Sequence, residues 1–325
     1  MKRQNFFNEI ISIENLYLAW SEFVKGKKWK KDVMEFSLHL SENVYSLHRD
    51  LEEKVYTHGG YTAFNISDPK PRNIHKATVR DRLLHHAIYR VLYPYFDSRF
   101  IHDSYSCRKW KGTHRAINRF RDFGRKVSKN NTRQCWILKC DVRKFFASID
   151  QAVLIEILIS HRLDNDTVWL LEKVITSFKT QEGKGLPLGN LTSQLLVNIY
   201  MNEFDQYVKH GLKTKHYVRY ADDFIVLSQD RHELLSLLKQ IKQFLEDKLK
   251  LTLHPDKIHI RTLFSGIDFL GWVHFPHHRV LRTVTKRRMF RNLKNNQNKK
   301  TIQSYLGLLS HGDAYEFNKT ISMIL

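Results

Sequence analysis

The stretch HYVRYADDFIVLS, residues 216–228, decides the architecture. HYVRY and FIVLS are runs of β-branched, aromatic and aliphatic residues on either side of Ala221-Asp222-Asp223, a pattern that reads as strand, tight turn, strand. Two ionised carboxylates side by side at such a turn repel each other in a partly desolvated place, so a positive charge should sit beside them. Taken alone the pair is ordinary, because Asp favours turns. A second segment far upstream adds weight. CWILKCDV, residues 135–142, is a short buried-strand pattern ending in a lone carboxylate, Asp141, at its tip. Three acids from two distant segments form an all-oxygen set suited to Mg²⁺, and two such ions serve in-line phosphoryl transfer.

Composition points the same way. The 325 residues hold 54 Lys and Arg against 33 Asp and Glu, a formal net charge of +21 spread along the chain. Such a field favours a polyanionic partner, with binding that weakens as salt rises. No run approaches the roughly 18 apolar residues of a membrane span, and Asn8, Glu9 and Glu14 interrupt the N-terminal segment, so no membrane association or secretory signal is expected and the location is read as cytoplasmic. Cys107, Cys135 and Cys140 form no C-x-x-C and are expected as reduced thiols. The pairs His85-His86 and His277-His278 lack the partners of a structural zinc site.

Neither repeats nor low-complexity tracts divide the chain, so one compact unit is expected. Apolar residues from Ser37 to Tyr56 recur at helical spacing and predict one long amphipathic helix. DPKPRNIHKATVRDR (68–82) reads as a basic loop feeding a helix that runs to about Phe96, an arrangement suited to phosphate. Further helices are expected after Gly112, over 151–161, 165–178, 190–209 and 231–249, and through the basic last forty residues. Strand patterns fall at KIHI and IDFLGWVHF.

Taken in order, CDVRKFF (140–146), GLPLGNLTSQ (185–194), YVRYADDF (217–224), LTLHPDK (251–257) and FLGW (269–272) resemble the successive palm motifs of reverse transcriptases, and the 68–82 loop resembles their fingers motif. The resemblance covers roughly residues 60–290. It implies an α+β right-hand polymerase with an antiparallel palm sheet backed by helices: an N-terminal helical extension (1–58), fingers (59–133), palm (134–280, with finger-palm elements around 150–185) and a helical thumb (281–325). Carried over residue by residue, it implies that Asp141, Asp222, Asp223 and the Val142 carbonyl hold two Mg²⁺, with Mn²⁺ as an alternative. Lys257 would protonate the leaving pyrophosphate. Arg72, Lys70 and Arg80 would hold the incoming triphosphate, Phe146 would exclude a ribose 2′-hydroxyl, and Leu188, Gly189 and Gln194 would line the nucleotide site. Phe269, Leu270, Gly271 and Trp272 would form the primer grip. Read from the residues alone, Phe146 is also compatible with a plain core position, since Phe145 is adjacent.

Retroviral and intron-encoded members usually have Gln before the glycine of the second palm motif and end it in Ser-Pro; here those places hold Leu188 and Ser193-Gln194. That string, with DSYSCRKWKGTHRA (103–116), resembles the enzymes of diversity-generating retroelements, which copy a template-repeat RNA into adenine-mutagenised cDNA. The implied partners are template RNA, a cDNA or primer, dNTPs and a basic, oligomeric accessory variability protein. With the sequence stopping at Leu325, no endonuclease or RNase H-sized extension is expected, and Val284-Thr285 is followed by Lys286 rather than the glycine of retron enzymes. Other readings are a bacterial reverse transcriptase of antiphage defence or of short intron type, a non-catalytic RNA-binding scaffold, and an RNA-dependent RNA polymerase. Phe146 argues against the last.

Overall fold

The computed structural model describes residues 5–67, 71–295 and 298–313. In chain order it begins with α1 (Phe7–Ile11), α2 (Ile13–Phe23), α3 (Lys31–Leu38), α4 (Leu40–Glu52), β1 (Tyr61–Ile66), β2 (Arg72–Ala77), α5 (Val79–Asp97) and α6 (Thr113–Val127). Then come β3 (Trp136–Asp141), α7 (Phe145–Ser148), α8 (Gln151–Ser160), α9 (Asn165–Thr176), α10 (Leu191–Gln206), β4 (Tyr217–Tyr220), β5 (Asp223–Ser228) and α11 (Arg231–Leu249). The last elements are β6 (His259–Thr262), β7 (Ile267–Phe269), β8 (Trp272–His274), β9 (Arg279–Leu281), α12 (Thr283–Asn295) and α13 (Lys299–Leu309). The class is α+β, as expected, and every ladder between named strands is antiparallel. Among the described residues no helix is long and apolar enough to cross a membrane.

Instead of the single unit expected, two compact units share the chain. One comprises Met1–Ile101, Val142–Tyr207 and Gln243–Thr252, the other His102–Asp141, Val208–Lys242 and Leu253–Leu325.

The first unit is mostly helical and is organised on α5. Its N-cap Thr78 accepts from the Asp81 amide at 3.2 Å. The Asp81 carboxylate accepts in turn from the Thr78 hydroxyl, the Tyr56 hydroxyl and the Gly59 amide, so this buried acid is fully satisfied. From there α5 buries Leu83, Leu84, Ala87, Ile88 and Leu92 against α2 and α10. Three sequence expectations are corrected here. The helix over 37–56 is two helices: the chain breaks at His39, whose φ of −118° and ψ of 37° leave the helical region. Within the basic loop, residues 72–77 are β2, which pairs with β1; Asp68, Pro69 and Lys70 lie outside the described residues. The helix expected over 190–209 is α-helical only to Gln206, and Tyr207–Gly211 is a turn of π-helix.

The second unit holds a four-stranded sheet in the order β4-β5-β3-β6 and a three-stranded sheet β7-β8-β9. Its core joins the buried face of α6 (Ala116, Ile117, Phe120, Phe123) to Ile137, Val218, Ile225 and Leu227 of the larger sheet. Phe269 and Trp272 of the smaller sheet, with Met289 and Leu293 of α12, belong to the same cluster. At roughly 2 kcal/mol per fully buried large apolar side chain, this cluster is the main hydrophobic contribution holding the two sheets together.

Candidate active site

The β3–β5 register places Asp141 directly opposite Asp223, and the β4–β5 register places Tyr220 opposite Asp223, leaving Ala221-Asp222 as a two-residue turn. Facing residues of antiparallel strands lie about 4.5–5.5 Å apart at Cα, so the two segments far apart in sequence do converge. Ala221 sits at φ 56°, a left-handed conformation costing an alanine roughly 1–2 kcal/mol. Fully buried Arg219 helps to hold it there. Its guanidinium donates to the Ala221 carbonyl at 3.1 Å and to the Ser104 hydroxyl at 3.0 Å.

The positive charge demanded by the acid cluster is supplied in part by two lysines. Lys139, two residues before Asp141 and on the same face of β3, reaches Asp223 Oδ2 at 3.4 Å and donates to the Asp268 carbonyl at 2.7 Å. Lys257, in a 3₁₀ turn at Pro255–Lys257, donates to Asp141 Oδ1 at 2.9 Å. The His254 amide bonds the Asp141 carbonyl at 2.8 Å and ties that turn to the strand tip. Charge is still not balanced. Burial pushes the Asp223 carboxyl up to about 7, with the Lys139 ammonium pulling against it and the charges of Asp141 and Asp222 adding to the push. Asp223 Oδ1 is buried with no hydrogen-bond partner. An orphaned carboxylate oxygen among further carboxylates fits a hard divalent cation. Among the described residues no three His, Cys, Asp or Glu side chains close on one ion by themselves. The protein would therefore supply part of a coordination shell, as suits an ion that retains water and substrate phosphate.

The FLGW segment is the β7–β8 hairpin. Its two-residue turn, Leu270-Gly271, has φ of 52° and 87°, the paired positive values of the turn that matches strand twist. Phe269 and Trp272 face each other in register and are buried in the core. Lys139 thus touches both the acid cluster and the strand that leads into this hairpin.

The remaining sequence-predicted residues lie in the other unit or at its edge. Val142 follows Asp141 and is buried. Phe145 is the buried member of the aromatic pair and Phe146 the half-exposed one, so the alternative core role belongs to Phe145. The Leu188-Gly189 loop is stitched to β2: the His75 amide donates to the Leu188 carbonyl at 3.0 Å, and Asn190 Nδ2 donates to the His75 carbonyl at 2.9 Å. Gly189 has φ +106°, and a Cβ there would lie 2.7 Å from Ile74 Cγ2, so only glycine fits. Gln194 is half-buried in the first turns of α10. Arg72 is exposed on β2. Arg80 is committed elsewhere, paired with Asp50 at 2.6 Å and lying over the Tyr56 ring. Lys70 is outside the described residues.

Sequence reasoning missed Lys139 and Arg219. Each is a lone cation inside an otherwise apolar strand, in CWILKCDV and YVRY, and a charge in that position is a signal that it has a fixed partner.

Comparison with known proteins identifies the family. The reverse transcriptase (RNA-dependent DNA polymerase) family matches residues 67–308. Protein YkfC of Escherichia coli (strain K12) is 27% identical over a match covering 66% of this chain and 65% of that protein. The group II intron-encoded protein LtrA of Lactococcus lactis subsp. cremoris is 24% identical, covering 62% of this chain and 44% of that protein. The chain therefore spans less than two thirds of either relative. Among solved structures, apo telomerase from Candida tropicalis superimposes with a TM-score of 0.52 at 12% identity, covering 68% of this chain and 48% of that one. Telomerase from Candida albicans, solved with a fragment of telomeric RNA, gives 0.50 at 12% identity, over 71% and 48%. These structural likenesses speak to fold. With the family matched over most of its length and its acids in register across one sheet, the chain belongs to the reverse transcriptase (RNA-dependent DNA polymerase) family.

Proposed function

We propose that the chain is an RNA-directed DNA polymerase of a diversity-generating retroelement, working in the cytoplasm. The observation that carries the polymerase reading is the pairing of Asp141 with Asp223, whose buried Oδ1 has no partner. Asp141, Asp222, Asp223 and the Val142 carbonyl would hold divalent metal. Bound there, Mg²⁺ or Mn²⁺ supplies the positive charge that activates a primer 3′-hydroxyl and stabilises the departing pyrophosphate. Lys257, hydrogen-bonded to Asp141, would give that pyrophosphate a proton. Lys139 holds Asp223 in orientation. Arg72 would meet the triphosphate, and Arg80 would have to leave Asp50 to join it. Half-exposed Phe146 would exclude a 2′-hydroxyl, and the β7–β8 hairpin would support the primer end. The division into extension (1–58), fingers (59–133), palm (134–280) and thumb (281–325) is part of the same proposal.

The retroelement assignment rests on Leu188 and Ser193-Gln194. An apolar side chain where relatives present a hydrogen-bonding one removes a polar check on nucleotide placement, and polar checks discriminate far more strongly than apolar ones. Template-repeat RNA, dNTPs and a basic oligomeric accessory protein are the partners this implies. The intron-encoded relative favours a second reading, a short intron-type enzyme. Sequencing of cDNA made by the purified chain on an RNA template tests both at once. Errors concentrated opposite template adenine support the retroelement; errors spread evenly over the four bases favour the intron type; no cDNA at all overturns both.

A further inference from the structure

Away from the acid cluster, the second unit holds a cavity of about 370 Å³ between α6, the β8–β9 turn and the end of α13. None of the residues assigned above to metal, nucleotide or primer lines it. The volume is that of a small-molecule site. Its walls are part aromatic and part cationic. Phe120 is buried there, and the Phe275 ring stacks on His278 with centroids 4.9 Å apart. Arg121 of α6 and Arg279 of β9 bring two guanidinium groups to the same lining.

Those two charges are not neutralised. Arg279 is 9% exposed, yet its guanidinium donates to neutral acceptors, the Asn118 side-chain oxygen at 3.0 Å and the His311 carbonyl. The Trp272 ring, 5.7 Å from the guanidinium, offers it a π-face but no charge. Arg121 is exposed and makes no hydrogen bond or ion pair among the described residues. Asp313, the acid among the described lining residues, is exposed and pairs with neither. Keeping a cation out of water beside another of the same sign is costly. Burial, then the Arg121 charge, lowers the Arg279 pKa accordingly. A neutral donor would serve Asn118 and His311 equally well, so the fold does not account for the charge of Arg279.

We propose that this cavity binds a small organic phosphate carrying a planar ring, of the nucleoside monophosphate class, with its phosphate between Arg121 and Arg279 and its ring against Phe275 and Pro276. A phosphomonoester carries about −1.5 to −2 charges at pH 7, which matches two guanidinium groups, and their forked donors suit phosphate oxygens. Bare phosphate would leave the aromatic wall and most of the volume unused. Occupancy would also fasten the end of α13 to β9, because Arg279 holds the His311 carbonyl while its own carbonyl accepts from the Asp313 amide at 2.9 Å. Gly312 lies against Trp272 with no room for a Cβ, so this fastening reaches the β7–β8 hairpin. The binding does not depend on the polymerase reading.

The test is calorimetric titration of the full chain, without divalent metal, by AMP, CMP, inorganic phosphate and adenosine. Arg121→Gln is expected to weaken the better of the two nucleotides about tenfold, the loss of one charge-assisted hydrogen bond, while Arg121→Lys recovers part of that loss. Phosphate and adenosine should each bind at least about tenfold more weakly than that nucleotide, since each lacks half of the contacts. Arg72→Gln, on β2 in the other unit, should leave the affinity unchanged. The nucleotide should also slow amide hydrogen exchange over residues 275–282 and 308–313. Arg121 is exposed, so its variants should fold, and circular dichroism checks that they do. Dissociation constants above about 1 mM for both nucleotides overturn the proposal. A loss in Arg72→Gln with none in Arg121→Gln overturns it in favour of the proposed triphosphate site. Phosphate binding as tightly as the nucleotide overturns the ring contact, and unchanged exchange over 308–313 overturns the fastening of α13.

Discussion

Replacement of Lys139 by Met keeps most of the side chain's length and removes its charge, which isolates what that ammonium does for Asp223. Removing one partner of a fully buried ion pair costs roughly 3–5 kcal/mol. Here the separation is 3.4 Å and both side chains are 17% exposed, so water reaches the pair and about 2 kcal/mol is the appropriate figure. The lost donation to the Asp268 carbonyl at 2.7 Å adds about 1 kcal/mol. Lys139→Met should therefore destabilise by about 3 kcal/mol in the wild-type background and by about 1 kcal/mol when Asp223 is already Asn, a coupling of about 2 kcal/mol. The assay is urea unfolding of the four proteins of the cycle by tryptophan fluorescence at pH 8, where Asp223 is mainly ionised. Coupling within about 0.5 kcal/mol of zero would refute the role given to Lys139.

Three further outcomes are expected. Burial holds the imidazoles of His274 and His85 down at about 3, against about 6.5 when unfolded. The native state then binds fewer protons in between, so the stability is present above pH 6.5 and is lost as pH falls towards 3. Each histidine costs about 2 kcal/mol at pH 5, and His274→Gln should shrink the difference in unfolding free energy between pH 8 and pH 5 by that amount. Mg²⁺ at about ten times its dissociation constant should stabilise the wild type by about 1.4 kcal/mol and leave an Asp141→Asn, Asp223→Asn double variant unmoved, as read by the thermal midpoint. Phe146→Ala should gain ribonucleotide incorporation in an NTP against dNTP competition without loss of fold, because Phe145 carries the core contact.

The site was legible in sequence where strand alternation and chemistry coincide. CWILKCDV and HYVRYADDFIVLS each bury a strand and carry an acid at its end, so period and function point to the same residues, and the β3–β5 register brings them together. The β1–β2 hairpin was invisible for the opposite reason. Tyr61–Ile66 leaves four of its six residues exposed, so the strand is held by its ladder and prints no apolar period. The break at His39 was hidden because Leu38 fits the helical spacing of Leu40, Val44 and Leu47, yet it is 80% exposed and takes no part in the buried stripe. Lys139 and Arg219 were passed over because strand patterns are read from their apolar members. The division into two units was illegible because neighbouring strands of one sheet, β3 and β5, come from segments separated by the whole of α7–α10.

The most direct measurement is extension of a DNA primer on an RNA template with dNTPs and Mg²⁺, comparing the purified wild type with Asp141→Asn at matched folding and RNA affinity. If facing acids at the tips of β3 and β5 carry the chemistry, the wild type extends the primer and the variant falls by at least about a hundredfold, a barrier increase of about 2.7 kcal/mol or more. Extension by the variant at the wild-type rate would contradict that claim.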